Sequence, residues 1–229
     1  MHLESIGVVV PTFNEANHLP KLLTDLQRLG FTQICIVDAN SSDETVHIAK
    51  EFGIFYFTST VKNKAVQLNI GANKMKTEYF LFLHADVRII NQKADFLIDC
   101  LKLEDFCFGN FKLAFDSNHW FLKLNEKFSY FKTGAFQFGD QGLLVKSELF
   151  KKVGGYNESM PFMEGNDLIR RLRKKNKFEK MNGTLLVSAR KYEEVGVYRL
   201  QFSYFLIYFL TRLGIKQSFV KKLFKRVFS

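Results

Sequence analysis

Cysteine is scarce in this chain, and its three copies follow no pairing pattern: Cys35, Cys100 and Cys107 show neither CxxC nor His-linked spacing. That argues against a disulfide framework or a zinc ribbon, and mostly apolar neighbours fit reduced, buried thiols of a cytosolic protein. Repeats, low-complexity tracts and Pro/Gly-rich linkers are also missing, so 229 residues read as one domain. No basic segment followed by an apolar core opens the chain, and no secretory signal is expected. The net charge of +10 comes without any nucleic-acid-binding motif, which speaks against a nucleic-acid partner. Acid is absent from one region altogether: residues 195–229 hold seven of the 33 Lys and Arg residues and none of the 23 acids. Aromatic residues are the opposite case. Twenty-six phenylalanines within a 47% hydrophobic composition exclude disorder and imply aromatic-rich packing or a greasy surface.

The first half alternates short apolar runs with helical periodicity. Strands are expected at 6–10, 34–37, 55–58 and 79–83. Leucines 19, 22, 23, 26 and 29 recur at helical spacing, with Gly30 placed to stop that helix. Ser41 and Glu44 suggest a capping box for a helix reaching about Phe52, and another helix is expected over 65–75. Strands alternating with helices at this spacing indicate an α/β domain with a mostly parallel, doubly wound central sheet. Beyond it, strands are expected at 106–115, 142–146 and 185–189, with helices at 120–131, 147–152 and 167–175.

Two strand ends carry the chemistry. Val8-Val9-Val10 stops at Pro11-Thr12-Phe13-Asn14-Glu15, and Val37 stops at Asp38-Ala39-Asn40-Ser41-Ser42-Asp43. Buried strands that deliver polar turns to one sheet edge form a ligand crevice in open α/β sheets. The groups supplied there suit a ribose, a base edge or a metal, although Asn14 or Asn17 would equally cap the next helix. Further along stand Lys62-Asn63-Lys64-Ala65-Val66-Gln67-Leu68-Asn69-Ile70-Gly71-Ala72, His84-Ala85-Asp86, Phe138-Gly139-Asp140-Gln141-Gly142, Met163-Glu164-Gly165-Asn166-Asp167 and Ser188-Ala189-Arg190-Lys191-Tyr192.

In combination these segments resemble a family 2 glycosyltransferase of the nucleotide-diphospho-sugar transferase (GT-A, Rossmann-like) fold. The resemblance covers about residues 6–199 and is nearest to a bacterial branch in which His-Ala-Asp replaces the family's Asp-x-Asp. It implies an inverting hexosyl transfer from a nucleotide-diphosphate sugar to an acceptor hydroxyl. Pro11, Thr12, Asn14, Glu15 and Asp38 would line the nucleoside pocket. Asp86 would bind Mg²⁺ or Mn²⁺ on the diphosphate. Lys64 and Gln67, in a segment whose Asn63 and Lys64 depart from the branch's Gly-Arg, would approach the diphosphate, and Arg190 and Lys191 would stabilise the leaving diphosphate or fix an acceptor phosphate. Asp140 and Gln141 would contact sugar hydroxyls. The family's base is a carboxylate in a Glu-Asp pair; with Gly165 in the aspartate position, Glu164 or Asp167 would take that role. A nucleotidyltransferase would need a Gly-rich loop after the first strand, which Pro11–Glu15 does not provide. A second reading is a weak or inactive nucleotide-sugar-binding scaffold at the membrane.

The tail is set apart as residues 200–229, after a catalytic domain of 1–199. Residues 200–213 are almost all apolar but too few to span a bilayer. Past Gly214, Phe219, Val220, Leu223, Phe224, Val227 and Phe228 share one helical face, and Lys221, Lys222, Lys225 and Arg226 the other. Such an amphipathic helix packs on the domain, meets a second copy, or lies on an anionic membrane near a lipid-linked acceptor. The location expected is the cytoplasm, peripheral to the inner face of the membrane.

Overall fold

A computed structural model describes residues 3–131 and 141–228. At its centre are β1 (Ile6–Thr12) and β2 (Ile34–Asp38), in which every residue is buried. Their runs are continuously apolar because the sheet is covered on both faces. Side chains alternate across it. Ile6, Val8 and Val10 join the leucines of α1 (Leu19–Leu29) in one core. Val9 joins Ala65, Leu68 and Ala72 of α3 (Lys64–Lys74) in a second core on the opposite face.

The remaining strands are β3 (Phe55–Thr58), β4 (Tyr79–Phe82), β5 (Val87–Ile89), β6 (Phe108–Phe115), β7 (Leu143–Lys146) and β8 (Phe178–Val187), giving the order β3-β2-β1-β4-β7-β6-β8-β5. Strands β3, β2, β1 and β4 are mutually parallel, as expected from the alternation. Antiparallel β7 joins β4 to β6, and β8 runs parallel to β6. The sheet is therefore mixed beyond β4, yet the carboxyl ends of β1, β2 and β4 open on one edge.

Several elements differ from the periodicity reading. The Ser41–Glu44 capping box does not form: α2 is Thr45–Glu51, Glu44 makes no side-chain cap, and Ser41 bonds Asp38 instead. Strand β8 extends back to Phe178 through Glu179, Lys180 and Asn182, polar residues that hide a strand from a hydrophobicity pattern. Strand β5 and helix α4 (Asp95–Leu101) were not foreseen. Edge strand β5 is clamped to α1 by a bidentate ion pair, Arg88 Nε and Nη2 donating to the buried Asp25 at 2.6 and 3.0 Å. Helices α5 (Trp120–Ser129) and α6 (Ser147–Lys152) lie close to expectation, while α7 (Glu164–Leu172) begins three residues earlier than the sequence reading.

The C-terminal segment comprises α8 (Arg190–Val195), α9 (Val197–Arg212) and α10 (Gln217–Phe228). Position 199/200 thus falls inside a helix. Val220 and Phe224 of α10 are buried against Ile207 of α9, whereas Phe219 and Leu223 stay exposed. Packing therefore consumes part of the apolar face that the sequence offers as a membrane face. Among the described residues no helix is long and apolar enough to cross a membrane.

Gly71 explains one motif by packing alone. A Cβ at this position would overlap Val9 Cγ1 and approach Val37 Cγ2 to 3.2 Å, so only glycine lets α3 lie this close to β1 and β2. Gly71→Ala should lower unfolding stability by about 1–3 kcal/mol through overpacking, measured by urea denaturation. Unchanged stability would mean that α3 has room to move outward.

Candidate active site

The strand-end loops are stitched together before any ligand is considered. Asp38, 1% exposed, accepts hydrogen bonds from Thr12 Oγ1 (2.8 Å), Ser41 Oγ (2.5 Å) and the Ser41 amide (2.8 Å). Asn14 receives the Ser42 amide on Oδ1 and gives its own amide to Ser41 Oγ. The amides of Glu15 and Ala16 donate to Thr45 Oγ1 and Asp43 Oδ2. Asn14 and Asn40 both sit at positive φ (54° and 57°), which asparagine tolerates better than most residues. From α3, the buried Gln67 amide donates to the carbonyls of Thr12 (2.8 Å) and Val37 (2.7 Å), bridging the ends of two paired strands. Asn63 caps α3, accepting the Ala65 and Val66 amides, so its departure from glycine has a local structural reason.

Beside these loops lies a cleft of about 440 Å³. It brings together Pro11, Thr12, Glu15, Lys64, Gln67 and Glu164 from the expected set. Asn14 and Asp38 are not in its lining; they hold the loops that are. Lys62 stacks over Phe13, 3.3 Å from the ring centroid, and Lys64 Nζ lies 3.4 Å from His84 Nε2. With Lys191 from α8 these lysines give the cleft a basic wall suited to a diphosphate. Glu15 is the exception. Burial raises its pKa first, the nearby charge of Asp86 adds to that, and His18 and Arg190 oppose it. Its Oε2 is buried, 3.2 Å from His18 Nδ1. Asp86, in the turn after β4, is half-buried and is not among the residues that line the cleft.

Glu164 and Asp167, equal candidates by sequence, part company here. Glu164, at the start of α7, lines the cleft and also a small recess formed with Phe82, His84 and Tyr156. Burial pushes the Tyr156 hydroxyl well above its usual range, and the adjacent Glu164 charge adds to the effect. The preceding Met163 adopts φ 59°, a left-handed conformation costly for an unbranched apolar residue, and it sets the direction in which the helix enters. Asp167 lies outside the cleft, with one oxygen 2.7 Å from Arg170 Nη2 and the other 2.7 Å from Arg171 Nε. Gln141 is also elsewhere: fully buried, it accepts from Asn110 (2.6 Å) and from Lys180 Nζ (2.9 Å). Arg190 is exposed, 3.9 Å from Glu194. Asp140 lies outside the described residues. Asn125 of α5, and Gln201 and Tyr204 of α9, complete the cleft wall; no local motif marks them, since a helix distant in sequence supplies two of them.

The family model described as "Glycosyl transferase family 2" matches residues 7–144. The chain belongs to glycosyltransferase family 2. An uncharacterized glycosyltransferase of Rickettsia typhi is 28% identical over 180 residues, 71% of this chain and 57% of the relative. The 4,4'-diaponeurosporenoate glycosyltransferase of Staphylococcus haemolyticus is 34% identical over 99 residues, 40% of this chain and 26% of the relative. This family 2 chain thus spans little more than half the length of the Rickettsia relative. Among solved structures, S. aureus TarS residues 1–349 superpose with a TM-score of 0.65 at 16% identity, covering 81% of this chain and 61% of TarS. TarS has also been solved with UDP-GlcNAc. A mannosyltransferase of Pyrobaculum calidifontis in complex with GDP-Man and Mn²⁺ superposes with a TM-score of 0.62 at 18% identity, covering 80% and 56%. These likenesses establish the GT-A-type fold.

Lys180, behind the cleft, provides a pH signature. Burial first, and then the Lys112 charge, lower its pKa from 10.5 to about 7. Between those values the unfolded chain holds a proton on this lysine that the folded chain does not, so this site makes stability rise with pH across the window. Lys180→Met should remove that increment from the wild-type stability profile between pH 7 and 10, followed by chemical denaturation. Parallel profiles for the two proteins would refute the assignment.

Proposed function

We propose that this family 2 protein is an inverting glycosyltransferase that carries a hexosyl group from a nucleotide-diphosphate sugar to an acceptor hydroxyl. The observation that carries the reading is the position of Glu164, a carboxylate in the cleft that also holds the β1 strand-end loop and three lysines. The loop from Pro11 to Glu15 takes the nucleoside, with Asp38, Asn14 and Gln67 fixing its shape from below. Lys62, Lys64 and Lys191 meet the diphosphate. The acceptor oxygen attacks the anomeric carbon in line while Glu164 receives its proton. The bond from that carbon to the diphosphate oxygen breaks, and its electron pair departs with the nucleotide diphosphate.

A divalent ion fits this site only as part of the substrate complex. No group of three or more His, Cys, Asp or Glu able to hold a metal is present among the described residues. Asp86 offers a single carboxylate, which suits Mg²⁺ or Mn²⁺ that takes its other ligands from diphosphate and water. Such an ion would neutralise charge on the departing diphosphate. Three free thiols are in keeping with a cytoplasmic location.

The test combines donor binding with turnover. A panel of UDP-, GDP- and dTDP-sugars with and without Mn²⁺ should give a thermal shift for one nucleotide class, and Asp86→Ala should abolish its metal dependence. Glu164→Gln should keep the shift and lower donor turnover by roughly 10²–10⁴-fold. Gly165, standing where the family has its aspartate, favours the scaffold reading instead; donor binding with no transfer and no donor hydrolysis in the wild type would establish it. Full activity in Glu164→Gln would remove Glu164 as the base.

A further inference from the structure

Helix α9 is apolar all round but buried on one face only. Leu200, Ser203 and Ile207 face inward, and Gln201 and Tyr204 border the cleft. On the outer face Tyr198, Phe202, Phe205 and Phe209 follow one another at i, i+4, i+7 and i+11, and Leu213 continues the line. They are 57%, 65%, 64%, 51% and 61% exposed. Phe219 and Leu223 of α10, which packs on α9 through Val220 and Phe224, are also more than half exposed. Isolated apolar residues on a surface need no explanation, but an aligned row of aromatics on a helix does.

We infer that this row docks the protein on an anionic lipid surface, with α9 lying in the plane of the interface. The argument from charge selects this occupant. Arg199, Arg212, Lys216, Lys221 and Lys222 lie in the same stretch of chain as the row and are all exposed, and residues 195–229 contain no acid. At the C-terminal end of α9 a recess of about 570 Å³ lies between α7 and α9; Arg173 and Arg212 contribute to it, beside an Asp167–Arg170 ion pair. Aromatic side chains entering the headgroup boundary beside clustered cations are the recognition chemistry of an anionic bilayer. The 16 residues of α9 rise about 24 Å, too short for a span, and an in-plane helix needs no such length. The docking face also differs from the one the α10 pattern suggests, because Val220 and Phe224 are spent on α9. Since α9 shows one side to lipid and another to the cleft, an acceptor carried by that lipid would enter along Gln201 and Tyr204. This last consequence rests on the proposed transfer reaction; the docking does not.

Flotation of the full chain with phosphatidylcholine vesicles, with and without phosphatidylglycerol, tests the docking. The expected result is binding to the anionic vesicles that weakens with salt, and little binding to the neutral ones. Replacing Phe202, Phe205 and Phe209 together by serine should weaken it by roughly tenfold or more, with the donor-induced thermal shift intact. Charge reversal by Lys216→Glu, Lys221→Glu and Lys222→Glu, which leaves the aromatic row untouched, should weaken it similarly. Glu164→Gln should float as the wild type does, so loss of turnover and loss of docking are read separately. A wild type that fails to float, a serine variant that floats equally well, or a dimer that dissociates in the serine variant would each overturn the inference.

Discussion

The cleft depends on the buried Asp38 carboxylate at the end of β2. Three donors converge on it from Thr12 and Ser41, and hydrogen bonds to a charged group contribute about 1.5–3 kcal/mol each. That tie sits at the last paired residues of β1 and β2, and the bonds of Asn14, Glu15 and Ala16 to Ser41, Ser42, Thr45 and Asp43 carry it outward into the two loops. Gln67 completes it from the other side, donating to a carbonyl at each strand end. Buried backbone carbonyls at a sheet margin must find donors, and one side-chain amide from α3 satisfies two of them. Gly71 is what lets α3 come near enough to do so.

A second fixed point lies across the cleft. Arg171, in the last turn of α7, donates to Asp167 and to the Val153 and Gly155 carbonyls, so it ties the start of the helix and the loop that presents Tyr156 to one side chain. Asn69 of α3 holds the same loop through the Tyr156 amide and carbonyl. Asp167 is thus a structural clamp, and its engagement leaves Glu164 as the carboxylate offered to the cleft. The two candidates are three residues apart in sequence and nearly a helical turn apart in space, a difference that decides their partners.

Much of this was legible beforehand. The parallel half of the sheet followed from apolar runs alternating with helical leucine spacing, because a strand covered on both faces admits only apolar residues. The polar turns after β1 and β2 marked the crevice for the same reason, since polar groups there have nowhere else to be useful. Less legible were β5, too short to show a period, and the polar front of β8, whose Lys180 is accepted in the interior because Asn110, Gln141 and the Phe111 carbonyl all stand within hydrogen-bond distance of its Nζ. The Ser41–Glu44 pattern misled because Asp38 competes for the Ser41 hydroxyl.

By itself the sequence determined the α/β class, the family, the sheet edge where polar turns gather and the basic, aromatic tail. Each of these is written in local composition or in a period of two or 3.6 residues. Tertiary structure alone decided that Asp38 and Gln67 brace the loops, that Asp167 is clamped while Glu164 lines the cleft, and that α9 gives one face to the cleft and an aromatic row to the outside. Those outcomes turn on which distant groups compete for the same hydrogen bond or the same buried space, and no local pattern records that competition.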